Sequence, residues 1–252
     1  MIMQATRISL AALALGWMSG CQTAGKVTNT AAKPKITQGS SVLAGTAAKN
    51  STPKPLPPGE TVSLAIQVGQ RLENDGHLRE AAVQYDRALA IEPNRAKLVH
   101  HLGVVYDRLG EYNAAREVYA KAKALKPNNV DIDIDIAFSY YLSGEYDESI
   151  RLGQAVAASH PDKVRAWNNL GLAMAQKGRV DDAREAFSRG SSPSQAECNL
   201  AFVFLTKGDF EGAKQSYQKA LIIEPDMAAA RAGLEKVKNA RGNEVMSAQA
   251  GS

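Results

Sequence analysis

The amino-acid sequence predicts an all-α fold, a solenoid of about five helix-turn-helix repeats that ends in a capping helix. The main evidence is a glycine that recurs with spacings of 34, 34, 34 and 30 residues. A small residue follows each glycine five positions later, and a proline closes four of the five units. A period of about 34 residues is typical of proteins in which helix pairs stack along one axis. The recurring glycines are Gly76, Gly110, Gly144, Gly178 and Gly208.

Length and composition limit the possible classes of protein. The chain has 252 residues, and its hydrophobic fraction of 44% is enough for a packed core. Two cysteines exclude a disulfide-stabilised scaffold, and four histidines leave few ligands for a metal site. The formal net charge is +4, yet residues 61–252 sum to −1, because the excess of lysine lies in residues 22–60. A nucleic-acid-binding fold would carry that excess itself, so we predict no nucleic-acid partner.

The first twenty residues have the pattern of a secretory signal peptide. Residues 1–7 carry one positive charge, and residues 8–18 form an eleven-residue apolar run that is too short to span a membrane. The next segment, Met18-Ser19-Gly20-Cys21, resembles a bacterial lipobox, with methionine where leucine is usual. The resemblance implies cleavage before Cys21 and acylation of its thiol, which would anchor the protein in a membrane through several acyl chains.

The predicted location is the bacterial cell envelope. Gln22 is not the aspartate that often retains lipoproteins in the inner membrane, so we expect the outer membrane, facing the periplasm, rather than the inner membrane. Simple secretion with a free Cys21 is the alternative.

Residues 21–61 form a predicted linker behind this anchor. Small residues, lysine and proline dominate it and aromatic residues are missing, so it cannot bury enough surface to offset the entropy lost on ordering. We expect a disordered basic tether. Contact of its lysines with anionic lipid or cell-wall polymers is the alternative.

The repeat matches a known pattern at several positions in phase. A small residue lies in the middle of each first helix, at Gly69, Gly103, Ala137, Gly171 and Ala201. Four second helices carry an aromatic residue, Tyr85, Tyr119, Phe187 and Tyr217. This pattern resembles the tetratricopeptide repeat (TPR) family, which implies a right-handed solenoid. The predicted repeats are residues 62–95, 96–129, 130–163, 164–193 and 194–227, followed by a cap at 228–240 and a disordered tail at 241–252.

Two departures from the pattern predict local differences. Gly153 replaces the aromatic residue of the third repeat and Val156 replaces a small one, so that helix should pack less well. The fourth repeat is four residues short, and Ser192 followed by Pro193 is typical of a new helix start. We therefore expect a truncated second helix in repeat four and a change of superhelix direction near residues 190–193.

The sequence offers no catalytic centre, metal site or cofactor site. None of the four histidines has zinc-ligand spacing. Asp131, Asp133 and Asp135 imitate the start of a calcium loop, but Ile136 occupies the position of the required glycine. Acidic residues in a first helical turn favour the helix dipole, which explains them without a metal. We expect no enzyme activity and no cofactor.

The resemblance to TPR proteins implies a concave groove lined by the first helices. Its predicted polar positions are Gln67, His101, Asp135, Asn169 and Asn199. Its predicted apolar positions are Val104, Phe138, Tyr141, Leu172 and Phe202. Polar side chains beside an apolar strip suit an extended peptide or a helix of a partner protein. The alternative is that the polar residues are only solvated and the apolar ones partly packed.

The combination of lipobox, linker and about five repeats resembles the TadD lipoproteins of tight-adherence (Flp) pilus assembly. The resemblance implies a membrane-anchored scaffold that binds envelope proteins and helps to assemble or localise a pilus or secretion machine. An adaptor or regulator of peptidoglycan-processing enzymes, or a weak glycan binder, shares this layout and is the alternative.

Overall fold

The computed structural model describes residues 56–250, and this part of the chain contains eleven α-helices and no strand. The helices are α1 (Pro58–Asn74), α2 (Leu78–Ile91), α3 (Ala96–Leu109), α4 (Tyr112–Leu125), α5 (Val130–Ser143), α6 (Tyr146–Ser159), α7 (Val164–Gln176), α8 (Val180–Gly190), α9 (Pro193–Thr206), α10 (Phe210–Ile223) and α11 (Ala228–Ala250). Consecutive helices pair, so that repeats 1 to 5 run from α1–α2 to α9–α10 and α11 covers the end. The predicted all-α solenoid is confirmed. The expected signal peptide, Cys21 and residues 21–55 of the linker lie outside the described residues.

Glycine ends the first helix of every repeat. The five recurring glycines have φ between 76° and 85°, a left-handed conformation that glycine adopts without steric cost. After Gly110 the chain turns back at once, and the amide of Glu111 donates to the carbonyl of Tyr106. Each turn thus returns the chain antiparallel along the first helix.

Glycine has a second role where the two helices of a repeat touch. A Cβ atom on Gly103 would lie 2.5 Å from Cε1 of Tyr119, and one on Gly69 would lie 2.5 Å from Cε1 of Tyr85. Both tyrosine side chains are buried. The aromatic ring of the second helix therefore rests directly on the backbone of the first.

The fourth repeat differs as its sequence predicts. Helix α8 has 11 residues, whereas the second helices of the other repeats have 14. It ends at Gly190, where an added Cβ would lie 2.9 Å from the carbonyl oxygen of Val164. Ser192 then caps α9 by accepting a hydrogen bond from the amide of Gln195 at 3.2 Å, and Pro193 starts that helix. The first helix of repeat 5 thus begins at Pro193, and the change of superhelix direction stays a prediction.

The ends of the solenoid extend beyond the boundaries expected from sequence. Helix α1 begins at Pro58, so residues 58–61 belong to the fold and not to the linker. Proline at a first helical position needs no hydrogen-bond partner for its nitrogen, which favours this start. Helix α11 runs to Ala250, past Ala240, where the cap was expected to end and a frayed tail to begin. Its Ala230 and Val237 are buried against repeat 5.

A void lies beside Gly153, where the other second helices carry an aromatic ring. It is too small to hold a water molecule, and its walls include Ala137, Asn169 and Leu170. The loss of packing that the sequence predicts for α6 therefore has a definite location.

We predict that Gly153→Ala stabilises the protein by about 1 kcal/mol, because alanine favours a helix over glycine by that amount. The added Cβ would meet Leu170 at 3.4 Å, an ordinary contact. The matched control is Gly103→Ala, whose Cβ would collide with Tyr119, so we expect a loss of about 1–3 kcal/mol. Urea unfolding of both variants is the measurement. If both substitutions changed the free energy of unfolding in the same direction, the packing described for these helices would be wrong.

Candidate peptide-binding groove

The ten predicted groove residues fall into two groups by exposure. Gln67 is exposed, and His101, Val104 and Asn199 are half-buried. The other six are buried: Asp135, Phe138, Tyr141, Asn169, Leu172 and Phe202. The exposed group belongs to repeats 1, 2 and 5, whereas the buried group belongs to repeats 3, 4 and 5. The first helices therefore present an open surface mainly at the N-terminal end of the array.

Four of the five predicted apolar positions of the groove, Phe138, Tyr141, Leu172 and Phe202, pack against one another. Their exposed fractions are only 7–9%, and all four belong to the same core cluster. Phe138 and Tyr141 stack with ring centroids 5.5 Å apart, and Leu172 and Phe202 extend the cluster across α7 and α9. Their role as ligand anchors stays a prediction. Removing a buried phenylalanine from such a cluster typically costs about 3–5 kcal/mol, so an alanine variant here would report on folding first.

The predicted polar positions are engaged within the protein to different degrees. Asp135 is bonded to His100 Nε2 at 2.7 Å and accepts from Arg165. Asn199 accepts from the side-chain amide of Gln195 at 3.1 Å. The Oδ1 atom of Asn169 is buried and has no hydrogen-bond partner among the described residues. Asn169 also lines the void beside Gly153.

Glu73 joins repeats 1 and 2. Its Oε2 accepts from Tyr85 Oη at 3.0 Å and is bonded to His101 Nε2 at 2.8 Å, and Arg108 donates to Oε1. Burial alone would raise the pKa of Glu73, but the hydrogen bond and charge of His101, together with Tyr85 and Arg108, hold it below its usual range. Glu73 is therefore an ionised centre that holds α3 against α1.

Asp107 has the equivalent place in repeat 2 but a different electrostatic state. Only 4% of it is exposed, and its oxygens accept from Tyr119 Oη at 2.8 Å and from Ser139 Oγ at 2.6 Å. Burial raises the pKa of Asp107 to about 6, although both hydrogen bonds oppose the shift. Asp107 thus connects α3 to its own second helix and to α5 of the next repeat.

Neither acid was singled out from sequence, although a signal was present. Glu73 and Asp107 both lie four residues after the small residue of the first helix, in repeats whose second-helix aromatic is tyrosine. In repeat 4 the aromatic is Phe187, which has no hydroxyl, and the equivalent position is Ala175. Repeat 5 has Tyr217 but Ala201 and Leu205 at the other two positions, so the combination of glycine, acid and tyrosine marks repeats 1 and 2 only.

Two open clefts lie on the side of the first helices in the N-terminal half. One, of about 510 Å³, lies between α1 and α3, and the other, of about 540 Å³, lies between the start of α3 and the turn into α5. The first cleft is lined by Ile66, Gln70, Tyr85, Asn94, Arg95, Ala96, Lys97, Leu98, His101 and Lys126. The second is lined by Ala96, Lys97, His100, Leu125, Lys126, Pro127, Asn128 and Asn129. Of the predicted groove residues, His101 alone lines a cleft.

Within residues 56–250, no cluster of three or more histidine, cysteine or acidic side chains is arranged to hold a metal ion. None of the helices in this range combines the length and the hydropathy needed to cross a bilayer.

Comparison with known proteins agrees with the repeat geometry. Tetratricopeptide repeat families match residues 96–129, 135–196 and 195–227. The chain contains tetratricopeptide repeats. They form a TPR-type scaffold for protein interaction, a class that is typically non-catalytic.

Solved structures of similar fold come from several bacteria. MamA of Desulfovibrio magneticus, solved from residue 41 to its end, is 23% identical with a TM-score of 0.54, and the match covers 68% of this chain and 99% of the solved MamA chain. PilF of Pseudomonas aeruginosa is 21% identical with a TM-score of 0.52, over 77% of this chain and 99% of PilF. A tetratricopeptide repeat protein of Parabacteroides merdae is 18% identical with a TM-score of 0.53, and the match covers 75% of this chain and 76% of the other. At these identities the likeness establishes the fold alone. No curated protein matches the sequence.

The raised pKa of Asp107 gives a pH dependence of known sign. The folded state binds this proton more tightly than the unfolded chain, whose aspartate pKa is about 3.9, so its contribution to the free energy of unfolding falls as pH rises from about 4 to about 6. We predict that the free energy of unfolding of Asp107→Asn, measured relative to wild type, rises by about 2 kcal/mol from pH 4 to pH 7. Asp162→Asn, at an exposed site, is the control. Denaturant unfolding at both pH values measures the free energy of unfolding of each variant. If Asp107→Asn differed from wild type by the same amount at pH 4 and pH 7, the raised pKa of Asp107 would be refuted.

Proposed function

We propose that the protein is a lipid-anchored scaffold of the bacterial envelope that binds a segment of a partner protein in its groove. The observation that carries this proposal is the pair of open clefts beside α1, the start of α3 and the turn that leads into α5. Binding to a groove on a rigid array keeps the entropy lost by the scaffold small, which favours affinity.

The anchor is supported by sequence. The apolar run that ends at Met18-Ser19-Gly20-Cys21 and the basic segment that follows suit a protein tethered to a membrane with its repeats held away from the surface. We place the repeats in the periplasm, with the outer membrane preferred to the inner one because Gln22 follows the cysteine. In this position the groove would meet the periplasmic parts of envelope machines.

The proposed task is assembly or localisation of a pilus or secretion machine. The layout of anchor, tether and repeats resembles that of tight-adherence pilus lipoproteins, which supports this choice. Capture of a peptidoglycan-processing enzyme by a cross-linker placed in the groove would favour the alternative task, an adaptor in cell-wall metabolism.

The lipid anchor predicts incorporation of palmitate at one residue. Wild-type protein expressed in a Gram-negative host should be labelled by radioactive palmitate, and Cys21→Ser should lose the label, because the thiol is the acceptor. Cys198→Ser is the control, since the Cys198 side chain is fully buried in the folded array. Equal labelling of wild type and Cys21→Ser would rule out the anchor.

The groove predicts site-specific capture of a partner. Gln70 is exposed and lines the cleft between α1 and α3, so a photo-crosslinking amino acid at this position should give a discrete adduct in living cells. Glu117 is exposed on the second helix of repeat 2 and lines neither cleft, so the same amino acid there should give no such adduct. Mass spectrometry of the adduct identifies the partner. Adducts of the same mass from both positions, or from neither, would refute binding in the groove.

A further inference from the structure

The two clefts share a wall that is rich in positive charge. Lys97 and Lys126 line both of them, and Arg95 lines the cleft between α1 and α3. All three side chains belong to residues that are exposed to solvent. Arg95 and Lys126 lie in the turns that join the second helix of one repeat to the first helix of the next, and Lys97 lies in the first turn of α3. The charge is therefore concentrated where the two clefts meet.

These lysines are not neutralised by the protein. Neither Lys97 nor Lys126 forms an ion pair with any residue in 56–250, whereas Lys123, which precedes Lys126 by less than one turn, pairs with Asp133 at 2.6 Å. Among the described residues, Arg95 pairs with Glu92, three residues earlier, at 3.2 Å, and both side chains are more than 40% exposed. Exposed pairs of this kind are weak, so Arg95 can change partner at little cost.

The start of α3 increases the local positive potential. This helix has no acidic residue in its first turn, and its N-cap residue, Arg95, makes no side-chain capping hydrogen bond. The positive end of the helix dipole thus adds to the three cationic side chains instead of being offset. By contrast, α5 carries Asp131 and Asp133 in its first turn and is capped by Asn129.

The rest of the lining is suited to a polypeptide. Ile66 and Leu98 give apolar surface in one cleft, Leu125 and Pro127 give it in the other, and the remaining wall includes side-chain amides. Amides bind a peptide backbone, and a small apolar surface accepts an occasional aliphatic side chain.

We propose that these clefts bind an acidic segment of a partner protein, with Lys97 and Lys126 pairing its carboxylates. The N-terminal region of the chain itself is not the occupant, because residues 1–55 contain no aspartate or glutamate and carry six basic residues. A concave site between helices admits a polypeptide segment more readily than the flat surface of a bilayer. This proposal rests on the groove function proposed above and names the chemistry of its ligand.

The test is a titration of full-length protein, purified in non-ionic detergent, against a short fluorescein-labelled peptide of alternating glutamate and serine. We expect saturable binding that weakens as salt is added, because exposed charges are screened over about 10 Å at 0.1 M salt. Lys97→Glu combined with Lys126→Glu should weaken binding by about tenfold or more, since two attractive pairs become repulsive. A glutamine and serine peptide should not bind.

The matched control reverses the charge of two lysines that lie outside both clefts. Lys121 and Lys219 are exposed on second helices and line neither cleft, so Lys121→Glu combined with Lys219→Glu changes the net charge by the same amount. We expect less than a twofold change in affinity for this pair, a limit that corresponds to about 0.4 kcal/mol. Equal weakening by both pairs would show that net charge alone drives binding and would overturn the site.

Other occupants give distinct results that also overturn the proposal. Soluble glycerophosphoglycerol that competes with the peptide at the same concentration would indicate a phosphate site for lipid headgroups. Sedimentation that shows a dimer dissociated by the Lys97 and Lys126 reversal would indicate a second copy of this chain. If no peptide binds but the Gln70 cross-link persists, the acidic ligand is wrong and the groove function stands. If both are lost, the groove function fails as well.

Discussion

Close contact between an aromatic ring and a glycine is the constraint on which the packing of repeats 1, 2 and 4 depends. Tyr119 lies on Gly103 so closely that even a methyl group would collide, and this forces the tyrosine hydroxyl into the interior. A buried hydroxyl needs a hydrogen-bond partner, and Asp107 provides one. The second oxygen of Asp107 then accepts from Ser139 in the next repeat. Packing inside one repeat thereby creates the polar contact that holds the following repeat in register.

The same logic explains why the two halves of the groove differ. In repeat 1 the acid is Glu73, which reaches His101 and Arg108 of repeat 2 through polar contacts and leaves open space between α1 and α3. In repeats 3 to 5 aromatic and aliphatic side chains fill the space between the first helices, and the predicted anchors are buried in that packing. Polar coupling at one end and apolar coupling at the other therefore decide where a ligand can enter.

The sequence predicts the scaffold better than the site because the two depend on different kinds of information. Helix ends and close helix contacts are local, so Gly110, Gly153 and the Ser192-Pro193 start could be assigned from spacing alone. Burial of Phe138 and Phe202 depends on how closely the first helices of adjacent repeats approach, which no single repeat encodes. The cationic wall was missed for a related reason. Lys97 and Lys126 are far apart in sequence, and only the stacking of the turns brings them to the same two clefts.

Charge differs in sign between repeats 2 and 3, and part of this difference is used in ion pairs across their interface. Repeat 2 has six basic and three acidic residues, whereas repeat 3 has two basic and seven acidic residues. The basic side chains of repeat 2 that face repeat 3 are used at this interface, where Lys123 meets Asp133 and Arg116 meets Glu145. Such pairs disfavour a shifted stacking, since displacement would leave charges unmatched. Lys97 and Lys126 lie at the groove edge of the interface, so their charge is left for a ligand instead of for the neighbouring repeat.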